Sequence, residues 1–173
     1  EEMRAVRRVA QSKGVRVHLD GARIFNAVVA TGNPARAYAD CADSVSLCLS
    51  KGLGAPVGSA LAGTKAFIEE ARGARKMFGG AMRQAGIVAA GALHGLRRHR
   101  ERLPEDHARA RRLAEAIAAT PGLRVDPREI ETNIVIAEVV AGPERLADFV
   151  AAVEEESVRI YPFGGPGRFR AAT

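Results

Sequence analysis

Tryptophan is absent, and aromatic residues make up only 5% of the chain. A core built from this sequence must be aliphatic, and a surface that stacks nucleobases on aromatic rings has almost nothing to be made of. Cysteine occurs only as Cys41 and Cys48, with neither a CxxC pair nor a histidine at ligand spacing. That excludes a zinc site and fits free thiols in a reducing, cytoplasmic setting. No apolar run reaches the roughly eighteen residues of a membrane-spanning helix, and no signal-peptide pattern opens the chain. Internal repeats and low-complexity tracts are lacking too.

What is present suits an α/β protein. At 173 residues and 47% hydrophobic content, one domain, or one domain plus part of another, is expected. The net charge of +6 is concentrated in Arg97-Arg98-His99-Arg100-Glu101-Arg102 and in Arg109, Arg111 and Arg112. Such a patch could bind nucleic acid. Glu101, Glu105 and Asp106 interrupt it, however, and it reads better as a solvated helix surface, with no nucleic-acid partner.

The most telling stretch is Ser50-Lys51-Gly52-Leu53-Gly54-Ala55-Pro56-Val57-Gly58-Ser59. Val45, Leu47 and Leu49 alternate with Ser44, Ser46 and Cys48 before it, the period of a half-buried strand. Lys51 therefore stands at a strand end, beside glycine-rich backbone that can approach a ligand. A neutral lysine amine forms Schiff bases with carbonyl compounds. A second stretch, Val15-Arg16-Val17-His18-Leu19-Asp20-Gly21-Ala22-Arg23, reads as a strand, a glycine turn and a helix start. Asp20 and Lys51 at successive strand ends would both face the crevice beyond the carboxyl edge of the sheet. Pyridoxal phosphate needs that pair: an amine to hold its aldehyde and a carboxylate to keep its ring nitrogen protonated.

Three segments, His18-Leu19-Asp20-Gly21-Ala22-Arg23, Leu49 to Ser59 as Leu-Ser-Lys-Gly-Leu-Gly-Ala-Pro-Val-Gly-Ser, and Arg75 to Gly86 as Arg-Lys-Met-Phe-Gly-Gly-Ala-Met-Arg-Gln-Ala-Gly, occur in this order. In them the chain resembles the low-specificity L-threonine aldolases, among the β-eliminating lyases of the fold-type I pyridoxal-phosphate enzymes. The resemblance spans nearly the whole chain but only the later half of such an enzyme. It implies an α/β fold: residues 1–100 as the later part of the large cofactor-binding domain, and residues 101–173 as a truncated small C-terminal domain.

It also implies a chemistry. Lys51 would hold pyridoxal 5'-phosphate, and Asp20 would face its ring nitrogen. Arg23 would hydrogen-bond its phenolic oxygen, unless it merely pairs with Asp20. Lys76 and Arg83, flanking Gly79-Gly80, would lie near the phosphate, with ordinary surface cations as the alternative for Lys76. Arg170 would bind the substrate carboxylate through its bidentate fork; Arg168 shares its strand face, and only the motif favours Arg170. The reaction implied is cleavage of L-threonine or L-allo-threonine to glycine and acetaldehyde, in a homodimer or homotetramer. The catalytic base, the ring-stacking residue and the main phosphate loop would come from the first half of such an enzyme. The alternatives are an inactive, truncated product without catalysis and another fold-type I enzyme.

His18 shares a strand face with Asp20 and could orient it; His94, His99 and His107 fall in helical surface patterns. Asn133 resembles a residue at the start of the small domain in many such enzymes, with strand-edge capping as the alternative. The pattern predicts a helix tail before strand 15–20, a helix to about Thr31, strand 44–50, an antiparallel strand from Ser59 to Gly63, and a helix from the Thr64 cap to Ala74. A long helix from about Met82 to Arg100 would turn Ile87, Leu93 and Leu96 inward. A helix from about Glu105 would end at Pro121-Gly122. Strands at 123–125 and 132–137, a helix after Pro143, and closing strands at 158–161 and 169–171 complete the reading. The chain opens on Glu1-Glu2-Met3 and ends in a strand pattern at Ala171-Ala172-Thr173, so both ends are expected to fall inside elements, as in a fragment.

Overall fold

The computed structural model describes all residues from Glu1 to Thr173 as a mixed α/β chain. It divides into two compact units, Glu1–Leu103 and Pro104–Thr173.

The first unit contains helix α1 (Glu2–Ser12), strand β1 (His18–Asp20), helices α2 (Ile24–Thr31) and α3 (Ala35–Ala39), strands β2 (Ser44–Cys48) and β3 (Ser59–Gly63), and helices α4 (Lys65–Met77) and α5 (Gly86–His94). A π-helical turn, Gly95–His99, continues α5. The sheet order is β1-β2-β3, with β1 parallel to β2 and β3 antiparallel to it. Parallel neighbours need a crossover, which α2 and α3 supply. In register, His18 faces Ser44, Asp20 faces Ser46, and Cys48 faces Ser59. Because side chains alternate along strands, His18, Asp20, Ser44, Ser46, Cys48 and Ser59 share one polar face. Leu19, Val45 and Leu47 turn to the other, where Val45 is buried.

Helix α1 is anchored by charge. The Arg7 guanidinium grips both carboxylate oxygens of Asp43, with Nη2 to Oδ1 at 2.8 Å, and Asp43 Oδ2 also accepts the Val17 amide at 2.8 Å. The Arg7 hydrogen bond, then the Val17 amide, hold the Asp43 carboxyl down at about 2.

Thr64 caps α4 by accepting from the Phe67 amide at 3.3 Å. The helix outlasts the expected end at Ala74, reaching Met77 before Gly79 turns the chain with φ +81°. Helix α5 starts at Gly86, not near Met82, and its orientation corrects the sequence reading. Ile87 is 77% exposed and Leu93 is exposed, whereas Ala92 and Gly95 are buried. Only small residues let another backbone approach this closely, so the helix and its π-helical turn face Gly91, Ala92 and Gly95 inward and leave Ile87 and Leu93 outward. Leu96 is half-buried.

Helix α6 (Leu103–Ala118) opens at the boundary between the units; strands β4 (Leu123–Arg124) and β5 (Ile134–Val139), helix α7 (Leu146–Glu155), and strands β6 (Tyr161–Pro162) and β7 (Arg168–Ala172) follow. They form an antiparallel sheet in the order β4-β5-β7-β6. The strands β5 and β6 begin later than the periodicity predicts. Val135, Ala137 and Val139 alternate inward on β5, meeting Phe169 and Ala171 of β7 and the Ala110, Ala114, Ile117 face of α6. Phe149 packs its ring 5.3 Å from that of Phe169. His107 lies one turn before Ala110 on this same face and is buried, not on the surface as its helical pattern suggested; burial lowers its pKa. No helix of the chain is long and apolar enough to cross a membrane.

Candidate active site

The site grows from the carboxyl ends of β1 and β2. The chain leaves β1 at Asp20, and Gly21 continues the ladder by donating its amide to the Ser46 carbonyl at 2.7 Å. A Cβ on Gly21 would stand 2.8 Å from that same oxygen, so only glycine allows this approach. Asp20 is exposed, and its Oδ1 accepts the Ala22 amide at 3.1 Å, which orients the carboxylate. Arg23 is half-buried at the N-cap of α2.

His18 does not reach Asp20 through a direct hydrogen bond of its own ring. Nδ1 meets Ser44 Oγ at 2.8 Å and Nε2 meets Ser46 Oγ at 3.3 Å. The imidazole therefore ties β1 to β2 across the polar face, immediately below Asp20.

The chain leaves β2 through Leu49 and Ser50 to Lys51, which is exposed. Three backbone bonds close the loop beyond it: Gly54 N–H to Lys51 O at 2.7 Å, Ala55 N–H to Leu49 O at 2.9 Å, and Leu49 N–H to Gly58 O at 3.0 Å. Leu53 and Ala55 are 4% and 5% exposed, so the loop's underside is packed while Lys51 stays open to solvent. Cys48 lies beside this loop, its Sγ 3.4 Å from Ser50 Oγ. That hydroxyl, with the Ser50 amide, the Lys51 charge and Ser59, draws the thiol below its ordinary pKa, against the opposing effect of burial.

An amine that can attack a carbonyl and a carboxylate that can face a ring nitrogen thus rise from adjacent parallel strands, with hydroxyl, imidazole and thiol groups between them. The other expected residues lie elsewhere. Lys76 is exposed in the last turn of α4, which packs on β3, the strand at the opposite edge of the sheet from Asp20. Arg83 is exposed in the segment between α4 and α5. Arg170 belongs to the second unit, on β7, its guanidinium carbon 5.4 Å from the centre of the Phe163 ring. Arg168 shares its face but lines a groove with Asp126, Glu129 and Glu138.

Sequence reasoning missed two features. The sequence marks Cys48 as a free thiol in an alternating strand but not as a neighbour of the lysine loop; its position three residues before Lys51 is the available signal. The helical pattern places His99 on the surface, yet Nδ1 lies 2.9 Å from the Leu53 carbonyl oxygen. No sequence pattern announces that contact, which depends on how the π-helical turn meets the lysine loop.

A family model described as beta-eliminating lyase matches residues 1–140. A probable low-specificity L-threonine aldolase 2 of Arabidopsis thaliana is 44% identical over 155 residues, covering 89% of this chain and 44% of the relative. A low specificity L-threonine aldolase of Escherichia coli K12 is 43% identical over 129 residues, covering 75% of this chain and 38% of the relative. The chain spans less than half the length of these curated relatives. Among solved structures, a putative aromatic amino acid beta-eliminating lyase/threonine aldolase from Exiguobacterium superposes with TM-score 0.80 at 26% identity, over 98% of this chain and 49% of that one. A putative L-allo-threonine aldolase from Listeria monocytogenes, at 19% identity and TM-score 0.81, has the same fold over 98% of this chain and 48% of its own.

Proposed function

The chain belongs to the beta-eliminating lyase family, and from that premise we propose that it is part of a pyridoxal-phosphate-dependent aldehyde-lyase cleaving L-threonine or L-allo-threonine to glycine and acetaldehyde. The observation that carries this reading is the placement of Asp20 and the Lys51 loop at the carboxyl ends of the parallel neighbours β1 and β2, above one polar face. The threonine aldolase names of the relatives supply the reaction.

The residues present fit the cofactor. Lys51 and Asp20 are both exposed, and Gly21 brings backbone, not side chain, up to β2 between them. When bound, pyridoxal phosphate supplies an electron sink for the pair released as the Cα–Cβ bond breaks.

The chain's own groups divide the remaining work. Lys51 would supply the amine that holds the cofactor. Asp20 keeps a proton on the ring nitrogen, and the Ala22 amide holds its carboxylate in place. Arg23, at the start of α2, would donate to the phenolic oxygen. Lys76 and Arg83 lie away from Asp20 within the single chain, and on this reading they would supply positive charge for the phosphate of the neighbouring subunit across a dimer interface.

By the family resemblance, Arg170 would bind the substrate carboxylate through its bidentate fork. Arg168 shares its strand face and lines a groove with Arg124, Asp126, Glu129 and Glu138, while Arg170 lies over the Phe163 ring; the family motif is what favours Arg170. The first unit, on this reading, is the later part of a large cofactor-binding domain and the second a small C-terminal domain. The whole protein would work in the cytoplasm as a homodimer or homotetramer.

The test is acetaldehyde release from L-threonine by the intact protein with pyridoxal phosphate. Cleavage that Lys51→Ala abolishes supports the proposal. Cleavage that survives Lys51→Ala, or amino transfer in place of cleavage, refutes it.

A further inference from the structure

We propose that His99 is a positioning residue for Lys51, acting through a single peptide plane. The inference rests on the reading that Lys51 is the attachment point of the cofactor. The Leu53–Gly54 peptide is held from both sides. Its carbonyl lies 2.9 Å from His99 Nδ1, and its N–H donates to the Lys51 carbonyl at 2.7 Å. A carbonyl oxygen has no proton to give, so Nδ1 carries the proton and donates. That fixes the tautomer when the ring is neutral, and the bond persists when the ring is protonated.

The helix under the loop is shaped for this contact. A Cβ on Gly95 would stand 2.2 Å from the Leu53 oxygen, and one on Gly91 would stand 2.9 Å from Pro56 Cδ. A Cβ on Gly54, where φ is +67°, would stand 2.9 Å from His99 Nδ1. Gly91, Gly95 and His99 recur every four residues, so they line one face. The glycines clear room for the loop backbone and His99 closes it with a directed bond. The π-helical turn, a form that recurs at functional sites, spans Gly95–His99 and brings both groups to the same oxygen.

The consequence is mechanical. Lys51 is exposed and its side chain is flexible, so the direction from which the amine leaves the strand is set by its backbone. That backbone is tied to the Leu53–Gly54 plane, and the plane is tied to His99. Small misplacement of a reacting group costs rate steeply. Loss of the His99 bond should therefore slow attachment of the cofactor at Lys51 without changing how well the site binds a cofactor that cannot attach.

The experiment uses the intact protein freed of cofactor. The rate at which added pyridoxal phosphate attaches to Lys51 is read by absorption, and by borohydride trapping with peptide mapping. Affinity for pyridoxamine phosphate, which has no aldehyde, is measured in parallel. His99→Ala is expected to slow attachment about tenfold and leave pyridoxamine phosphate affinity unchanged. His99→Asn, whose amide nitrogen is the same number of bonds from Cα as Nδ1, is expected to restore the rate. If His99→Ala does not fold, His99→Gln, which displaces the donor by one methylene, carries the same comparison.

Attachment at the wild-type rate in the variant overturns the inference. So does a rate that falls only in step with affinity, or an Asn variant no better than the one it should rescue. If the unaltered protein is trapped at a lysine other than Lys51, the cofactor reading itself has failed; if Lys51 is trapped but its rate ignores His99, only this inference has.

Discussion

Gly21 and Ser46 stand closer than any side chain would allow, the Gly21 amide donating to the Ser46 carbonyl at 2.7 Å where a Cβ would lie 2.8 Å from the same oxygen. The Asp20 carboxylate is attached one residue earlier, so its height above the sheet is fixed by this approach. Gly21→Ala must push β1 and β2 apart at the site. We expect a loss of about 1–3 kcal/mol in stability, the usual range for overpacking, with cofactor affinity falling as well. Urea unfolding and a cofactor titration check both.

Asp20→Asn should lower the rate of bond cleavage far more than it lowers cofactor binding. A neutral amide cannot hold the ring proton, and loss of one such electrostatic partner typically costs on the order of 10²–10³ in kcat. Steady-state kinetics with threonine at saturating cofactor separate the two effects. Near-normal kcat would remove Asp20 from this role.

The Arg7–Asp43 pair gives an acid-limb prediction. Asp43 is held down at about 2 in the folded chain, against an ordinary 3.8. Its folded value is depressed, so its stabilising contribution is complete above about pH 4 and is lost as pH falls toward 2. Asp43→Asn should flatten that part of the stability curve, leaving little difference between variant and wild type near pH 2. Urea midpoints measured from pH 2 to pH 6 make the comparison.

Phe169 is 2% exposed and packs against Phe149 and the α6 face. Phe169→Ala should cost about 3–5 kcal/mol, the range for removing a buried phenyl ring. The loss should register in thermal unfolding followed by circular dichroism.

Local chemistry made much of the first unit legible. Ser44 to Cys48 alternates, Thr64 is a cap residue, and Gly79-Gly80 stops a helix, so β2, α4 and the break after it could be read from neighbours alone. The Asp20 and Lys51 loops were readable for the same reason. What failed depended on contacts distant in sequence. Ile87 and Leu93 are apolar at helical spacing, yet periodicity does not say which face is covered; the lysine loop covers the glycine side. Helix α3 is a single turn after Pro34, too short to carry a period. The shared strand face allows His18 to orient Asp20, but its ring partners Ser44 and Ser46 are set by a cross-strand register that no local pattern encodes. His107 shares the spacing of Ala110, Ala114 and Ile117, a signal that was present and outweighed by the polar residues around it.

The central claim is that Lys51 is the group that holds the cofactor. Borohydride reduction of the intact protein loaded with pyridoxal phosphate, followed by peptide mapping, tests it most directly. The account predicts one stable pyridoxyl label, on the peptide carrying Lys51. Label on Lys65, Lys76 or another lysine instead, or no label despite bound cofactor, would contradict it.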